Sequence, residues 1–240
     1  MEGAITETFK SLSRDKLNNK ELFNSINSIP ENFAFLFMGH WMQGDLGEDR
    51  KNVGMLIRFF LEKYKNKKHA PALILKTSIT NASVMGRSEL LKRLNIVKNS
   101  VEAKKLPNIY ILHGDLSDSE INELYNNPKI KAMVSLTKGE GFGRPLLEFS
   151  LVNKPIIASN WSGHLDFLNP EFCALVDGTT KKVHKSAQIK DMILGESEWF
   201  SPDLSSVSNC FDSIVSDYKE WKVKAKRQGY YARTNFSFEN

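Results

Sequence analysis

The chain has 240 residues, 41% of them hydrophobic and 25% charged, enough for one large domain that buries about 70% of its unfolded surface without staples. Disorder, collagen-like sequence and low complexity are excluded, and the longest apolar run, Phe33 to Met38, falls far short of the roughly 20 residues of a membrane helix. Thirty-three Lys and Arg against 28 Asp and Glu leave a net charge of +5, which suits an anionic ligand, whether nucleotide, phosphate or nucleic acid, without indicating which.

Residues 1–31 are polar with sparse apolar positions (Phe9, Leu12, Leu17, Leu22, Phe23, Ile26). They predict a helical arm of one or two helices, packed on the main body or against a partner. The N-terminus has no signal-peptide core. Ile29-Pro30 ends the arm, because the residue before proline is pushed out of the helical well. From residue 32 to 240, apolar bursts alternate with helical periods. Phe33–Met38 reads as a buried strand, 39–51 as a polar loop, and Asn52 as the opening of a helix carrying Val53, Leu56, Ile57, Phe60, Leu61 and Tyr64. Ala72–Leu75 reads as a strand, 84–98 as a helix and Ile109–Leu112 as a strand. Ser117-Asp118-Ser119-Glu120 matches a capping box and starts the next helix. Ile130–Leu136 is a strand, 145–152 a helix, Pro155–Ala158 a strand, 163–168 a short helix and Ala174–Val176 a strand, with helices over the remainder.

Continuous apolar strands alternating with helices predict a single doubly wound α/β domain with a parallel, Rossmann-like sheet. Two cysteines, Cys173 and Cys210, form neither a disulfide framework nor a metal cluster. The chain reads as cytoplasmic. Six positive residues between Lys219 and Arg233 read as the solvated face of a terminal helix.

In such a sheet the ligand sits beyond the carboxyl ends of the strands, in the loops 39–51, 76–83, 113–117, 137–145 and 159–163. The richest is Thr137-Lys138-Gly139-Glu140-Gly141-Phe142-Gly143-Arg144-Pro145, leading to Glu148. Its glycines allow close backbone approach, and the helix start that follows favours an anion. It is not the dinucleotide fingerprint, since Arg144 stands where the third glycine would fall. No P-loop, nucleophile elbow, zinc-protease motif or D-x-D occurs. Asp45, Glu48 and Asp49 either hold a metal or are a solvated loop, the latter being the expectation, so no metal is predicted.

Glu140-Gly141-Phe142-Gly143 followed by Glu148 resembles the Glu-x7-Glu signature of retaining GT-B glycosyltransferases of the family 4, or group 1, type. The resemblance covers about 200 residues. Phe35–Gly39 resembles the first strand and glycine turn of the C-terminal, donor-binding half, and Arg50-Lys51-Asn52 its phosphate-binding lysine. His113-Gly114-Asp115, with Glu120, Leu124 and Tyr125, resembles its next turn and helix. Lys154–Ala158 through Ser162-Gly163-His164 resembles the strand and turn after the signature, and Phe236–Glu239 its closing phrase. At a finer level the chain is similar to short glycosyltransferase-like proteins of large phages.

The resemblance implies transfer of a sugar from a nucleotide diphosphate sugar to an unknown acceptor, with retention and without metal or other cofactor. It implies that Glu148 binds the nucleotide ribose, Glu140 faces the transferred sugar, and the backbone of Gly141, Phe142 and Gly143 lines sugar and phosphates. Lys51 neutralises the diphosphate and shares the catalytic assignment with Glu140; Gly39, Arg50, Arg144 and Gly163 complete the donor site.

The family places an arginine where this chain has His40, for which Arg50 or Arg144 would substitute; Arg144 is either a phosphate contact or a surface charge. Trp161 either packs or lines the site. A GT-B enzyme has a second domain holding the acceptor, so the acceptor side is expected from a partner, a second copy or a longer product. The alternatives are a noncatalytic binding or structural module and an epimerase-type GT-B enzyme. Nucleic acid is possible but not indicated.

Overall fold

A computed structural model describes residues 3–13, 16, 17, 19–79 and 83–238, and among these it has eight strands and seven α-helices. The strands are β1 (Ala34–Met38), β2 (Ala72–Lys76), β3 (Ile109–Leu112), β4 (Ile130–Ser135), β5 (Ile156–Ser159), β6 (Ala174–Val176), β7 (Gly178–Lys182) and β8 (Glu198–Pro202). The helices are α1 (Lys20–Asn27), α2 (Val53–Tyr64), α3 (Val84–Asn99), α4 (Asp118–Asn126), α5 (Arg144–Ser150), α6 (Leu204–Ser216) and α7 (Tyr218–Asn235). The first six strands pair in parallel in the order β3-β2-β1-β4-β5-β6. That is the expected doubly wound sheet, with its order reversing between β1 and β4. The crevice for a ligand therefore opens between the loops that leave those two strands.

Burial follows the two-residue period of a strand covered on both faces. Phe35 and Phe37 of β1 join Leu56, Ile57 and Phe60 of α2 and Phe211 of α6 in one core layer. Ala34 and Leu36 join Tyr125, Leu147 and Phe149 in the other. The predicted capping box is present at Ser117 and Glu120.

Among the described residues the N-terminal arm contains one α-helix, α1, and packs on its own domain. Ala4 and Phe9 are buried, Ala4 N donates to Phe236 O at 2.9 Å, and Lys10 N and Leu12 N donate to the side chains of Asn122 and Asn126. Of the closing phrase, Glu239 lies outside the described residues.

One expectation is overturned. Residues 177–203, read as the beginning of the terminal helices, contain the antiparallel hairpin β7–β8, with Gly178 opposite Pro202 and Lys182 opposite Glu198. β-Branched Thr179 and Thr180 and aromatic Trp199 and Phe200 favour a pleated surface over a helix. The charges of Lys181, Lys182 and Glu198 hid that signal, because they blur the apolar alternation of β7 and β8.

Lys154, entering β5, is buried, and no carboxylate pairs with it among the described residues. Its Nζ donates to Tyr125 O at 2.5 Å and Asn127 O at 2.8 Å, where α4 ends. Burial, aided by Lys222 and Lys131, holds its ammonium well below the usual lysine value of 10.5. A depressed lysine means that the unfolded chain binds the extra proton, so stability rises with pH between the depressed value and 10.5. Urea denaturation from about pH 7 to 10 is expected to show that rise, and Lys154→Met to flatten it. An identical slope in the variant would remove Lys154 as the cause.

Candidate functional site

Two loops meet at the reversal of strand order. After β1, Gly39 turns the chain with φ 153°. A Cβ placed on it would lie 3.3 Å from the Phe37 ring and 3.8 Å from Lys51 Cδ, so the turn is drawn tight beneath the lysine. The loop then runs to Arg50 and Lys51 and enters α2. After β4, Lys138 N donates to Arg50 O at 2.8 Å and Thr137 Oγ1 donates to the same oxygen at 3.3 Å. These bonds fasten the 137–143 loop to the first loop, 87 or more positions away in sequence.

Charge concentrates where the loops touch. Lys51 Nζ donates to Glu140 Oε1 in a close ion pair. Arg50 Nη1 donates to Gly139 O at 2.6 Å and lies 3.5 Å from Glu140 Oε2. The Glu140 side chain is only 9% exposed, the Lys51 side chain 15%. Ser162 fixes the backbone at this point: Glu140 N donates to its Oγ at 2.8 Å, and Oγ–H donates back to Glu140 O at 2.6 Å. Gly163 N adds a bond to the same carbonyl at 3.2 Å. The signature glycines differ in what surrounds them. A Cβ on Gly139 or Gly141 would meet nothing within 4 Å, whereas one on Gly163 would overlap the Gly141 carbonyl oxygen. Gly143, with φ 91°, caps α5 in the left-handed region, and Phe142 packs on Phe167 at 5.1 Å between ring centroids.

Glu148 lies one turn into α5, 4% exposed. Arg144 Nε donates to its Oε1 at 2.6 Å, while the nearby Tyr125 hydroxyl donates to Met38 Sδ at 2.8 Å. Burial raises the Glu148 carboxyl above the ordinary glutamate value, while Arg144 and Tyr125 pull it back. Arg144 also lies 3.8 Å from Asp118. It is thus the charge partner of Glu148, a role not among those anticipated for it. The 137–148 segment therefore carries two carboxylates in different settings: Glu140 in the loop, paired with Lys51 and Arg50, and Glu148 in α5, paired with Arg144.

His40 Nδ1 is 2.8 Å from Ser78 Oγ, a turn contact. Trp161 stacks on Phe200 with centroids 6.3 Å apart and planes 7° from parallel, and its side remains 43% exposed. The acidic loop is already engaged: Asp49 Oδ2 accepts from Val53 N at 3.1 Å, and Glu48 pairs with Lys138 at 3.0 Å. Among the described residues, no group of three His, Cys, Asp or Glu side chains is placed to hold a metal ion. Ser162, which fixes the Glu140 backbone, and Tyr125, beside Glu148, were not singled out as site residues from sequence; the positive φ of Ser162, 86°, is visible only in the structure.

No helix among the described residues is long and apolar enough to cross a membrane. No curated protein sequence matches the chain at a significant level. Solved structures match the fold. The C-terminal domain of the glycosyl transferase group 1 family protein LpcC from Francisella tularensis is 16% identical, with TM-score 0.63 over 98% of this chain and 100% of that one. Anabaena HepE, solved in complex with UDP and glucose, is 14% identical, with TM-score 0.63 over 98% of this chain and 52% of that one. Sucrose-phosphate synthase from Thermosynechococcus elongatus is 14% identical, with TM-score 0.60 over 99% and 48%. The chain thus spans about half the length of the last two. The model of the family described as glycosyl transferases group 1 matches residues 47–197. With well over half of its length matched, the chain belongs to the glycosyl transferases group 1.

Proposed function

We propose that the chain binds a nucleotide diphosphate sugar in the crevice between the 39–51 and 137–143 loops and serves its transfer, with retention and without a metal, to an acceptor. One observation carries this reading. Lys51 and Arg50 converge on Glu140 beside glycines whose Cβ positions are open. Departure of a nucleoside diphosphate builds negative charge on the leaving oxygens, and cations fixed in place stabilise it without reorganising. Lys51 supplies that charge, with Arg50 beside it. Glu140 faces the sugar and stabilises the positive charge that develops at its ring; it is not assigned as a covalent nucleophile. Glu148, held by Arg144, accepts from a ribose hydroxyl. The structure of HepE with UDP and glucose supports UDP as a first probe.

Calorimetric titration of UDP tests the reading. Glu148→Ala is expected to weaken UDP binding by about 1–3 kcal/mol, the loss of a hydrogen bond to a charged acceptor, and a chelator to leave binding unchanged. Native affinity in the variant would remove Glu148 from the site, and loss of binding on chelation would remove metal independence.

A further inference from the structure

A cavity of about 370 Å³ opens between the β7–β8 hairpin and the start of α2. Asn52, Lys138, Lys181, Lys182, His184 and Trp199 contribute to its lining. Its charges are unequal. Lys138 is neutralised by Glu48, which also lines the cavity, at 3.0 Å, and His184 Nδ1 lies 3.9 Å from Asp45 and 2.8 Å from Ser186 Oγ. Lys181 and Lys182 have no ion pair among the described residues. Asn52, 1% exposed, leaves both side-chain polar atoms without a hydrogen-bond partner. A buried amide beside a polar cavity finds its partners in ordered water or in an occupant.

The hairpin also ties this cavity to the crevice. Phe200 N donates to Lys138 O at 3.0 Å, one residue before Gly139, and the Phe200 ring stacks on Trp161, the neighbour of Ser162. An aromatic wall at Trp199 suits the C–H face of a sugar ring, and the ammonium group of Lys181, the cross-strand partner of Trp199, suits an anionic substituent.

We propose that this cavity binds an anionic sugar, a ring bearing a carboxylate or a phosphate, while nucleotide occupies the crevice. The proposal rests on the transferase reading above. Glucose 6-phosphate, glucuronate, glucose and inorganic phosphate are titrated into the full chain, alone and saturated with UDP. One anionic sugar is expected to bind about tenfold or more tightly than glucose and phosphate, with UDP present or absent, the two arms telling phosphate from carboxylate. Lys181→Ala/Lys182→Ala is expected to weaken that binding about tenfold or more while leaving UDP affinity unchanged. Equal binding of inorganic phosphate, displacement by UDP, or an unaffected double variant would overturn the proposal. UDP binding with no anionic sugar bound overturns it alone, whereas absence of UDP binding to the native chain overturns the transferase reading.

Discussion

Gly163→Ala is expected to lower stability by about 1–3 kcal/mol, the cost of forcing a methyl group into a filled space, and to weaken UDP binding at least about tenfold. The added Cβ would overlap the Gly141 carbonyl oxygen, sit 2.7 Å from its carbon and lie 3.1 Å from Glu140 O. These are backbone atoms, so no side chain can swing away; the 140–141 and 162–163 segments must part. Their separation would break the Ser162 hydroxyl bonds that hold Glu140 N and O at 2.8 and 2.6 Å. Gly141→Ala is the matched control. Nothing lies within 4 Å of its Cβ position and its φ is outside the left-handed region, so the fold accepts the methyl group and the unfolded chain loses freedom. Its melting temperature is expected to stay level or rise slightly, while UDP-glucose binding falls about tenfold, because the methyl group occupies the open space facing the ligand. A native melting temperature for Gly163→Ala would show that the loops part cheaply. Native affinity for Gly141→Ala would place the ligand elsewhere.

Much of this arrangement was legible in the sequence because it rests on local signals. The runs read as strands at Phe33–Met38, Ala72–Leu75 and Ile130–Leu136 contain or nearly coincide with β1, β2 and β4, and Ser117 with Glu120 forms the capping box that the spacing announces. Glycines and glutamates of the 137–148 segment stand out without any knowledge of packing. Partnerships did not stand out. Arg144 is one turn from Glu148, yet a spacing of four residues on a helix does not distinguish a salt bridge from a phosphate contact. Ser162 lies in another loop from Glu140, and Tyr125 in another helix from Glu148, so no local pattern marks them. The β7–β8 hairpin was lost because Lys181, Lys182 and Glu198 face solvent and break the alternation of apolar residues that identifies a strand.

The ion pair between Lys51 and Glu140 yields the prediction that best separates a donor site from a structural clasp, because its two members should shift UDP affinity in opposite directions. Glu140 is paired with Lys51 and stands 3.5 Å from Arg50. A diphosphate entering the crevice must compete with that carboxylate for the same ammonium group. Lys51→Ala removes a charged donor to the phosphates and leaves Glu140 to repel them. A loss of about 1.5–3 kcal/mol, roughly tenfold to a hundredfold in affinity, is expected. Glu140→Gln removes the competitor and its repulsion, and UDP is expected to bind as tightly as to the native chain or more tightly. Transfer should nevertheless fail in Glu140→Gln, since a neutral amide cannot stabilise the positive charge developing on the sugar ring. Folding effects stay apart from this comparison when thermal unfolding accompanies each titration, because breaking a partly buried ion pair destabilises whichever partner is removed. Equal losses of UDP affinity in both variants would mean that the pair only braces the two loops, and Lys51 would then have no separate hold on the phosphates.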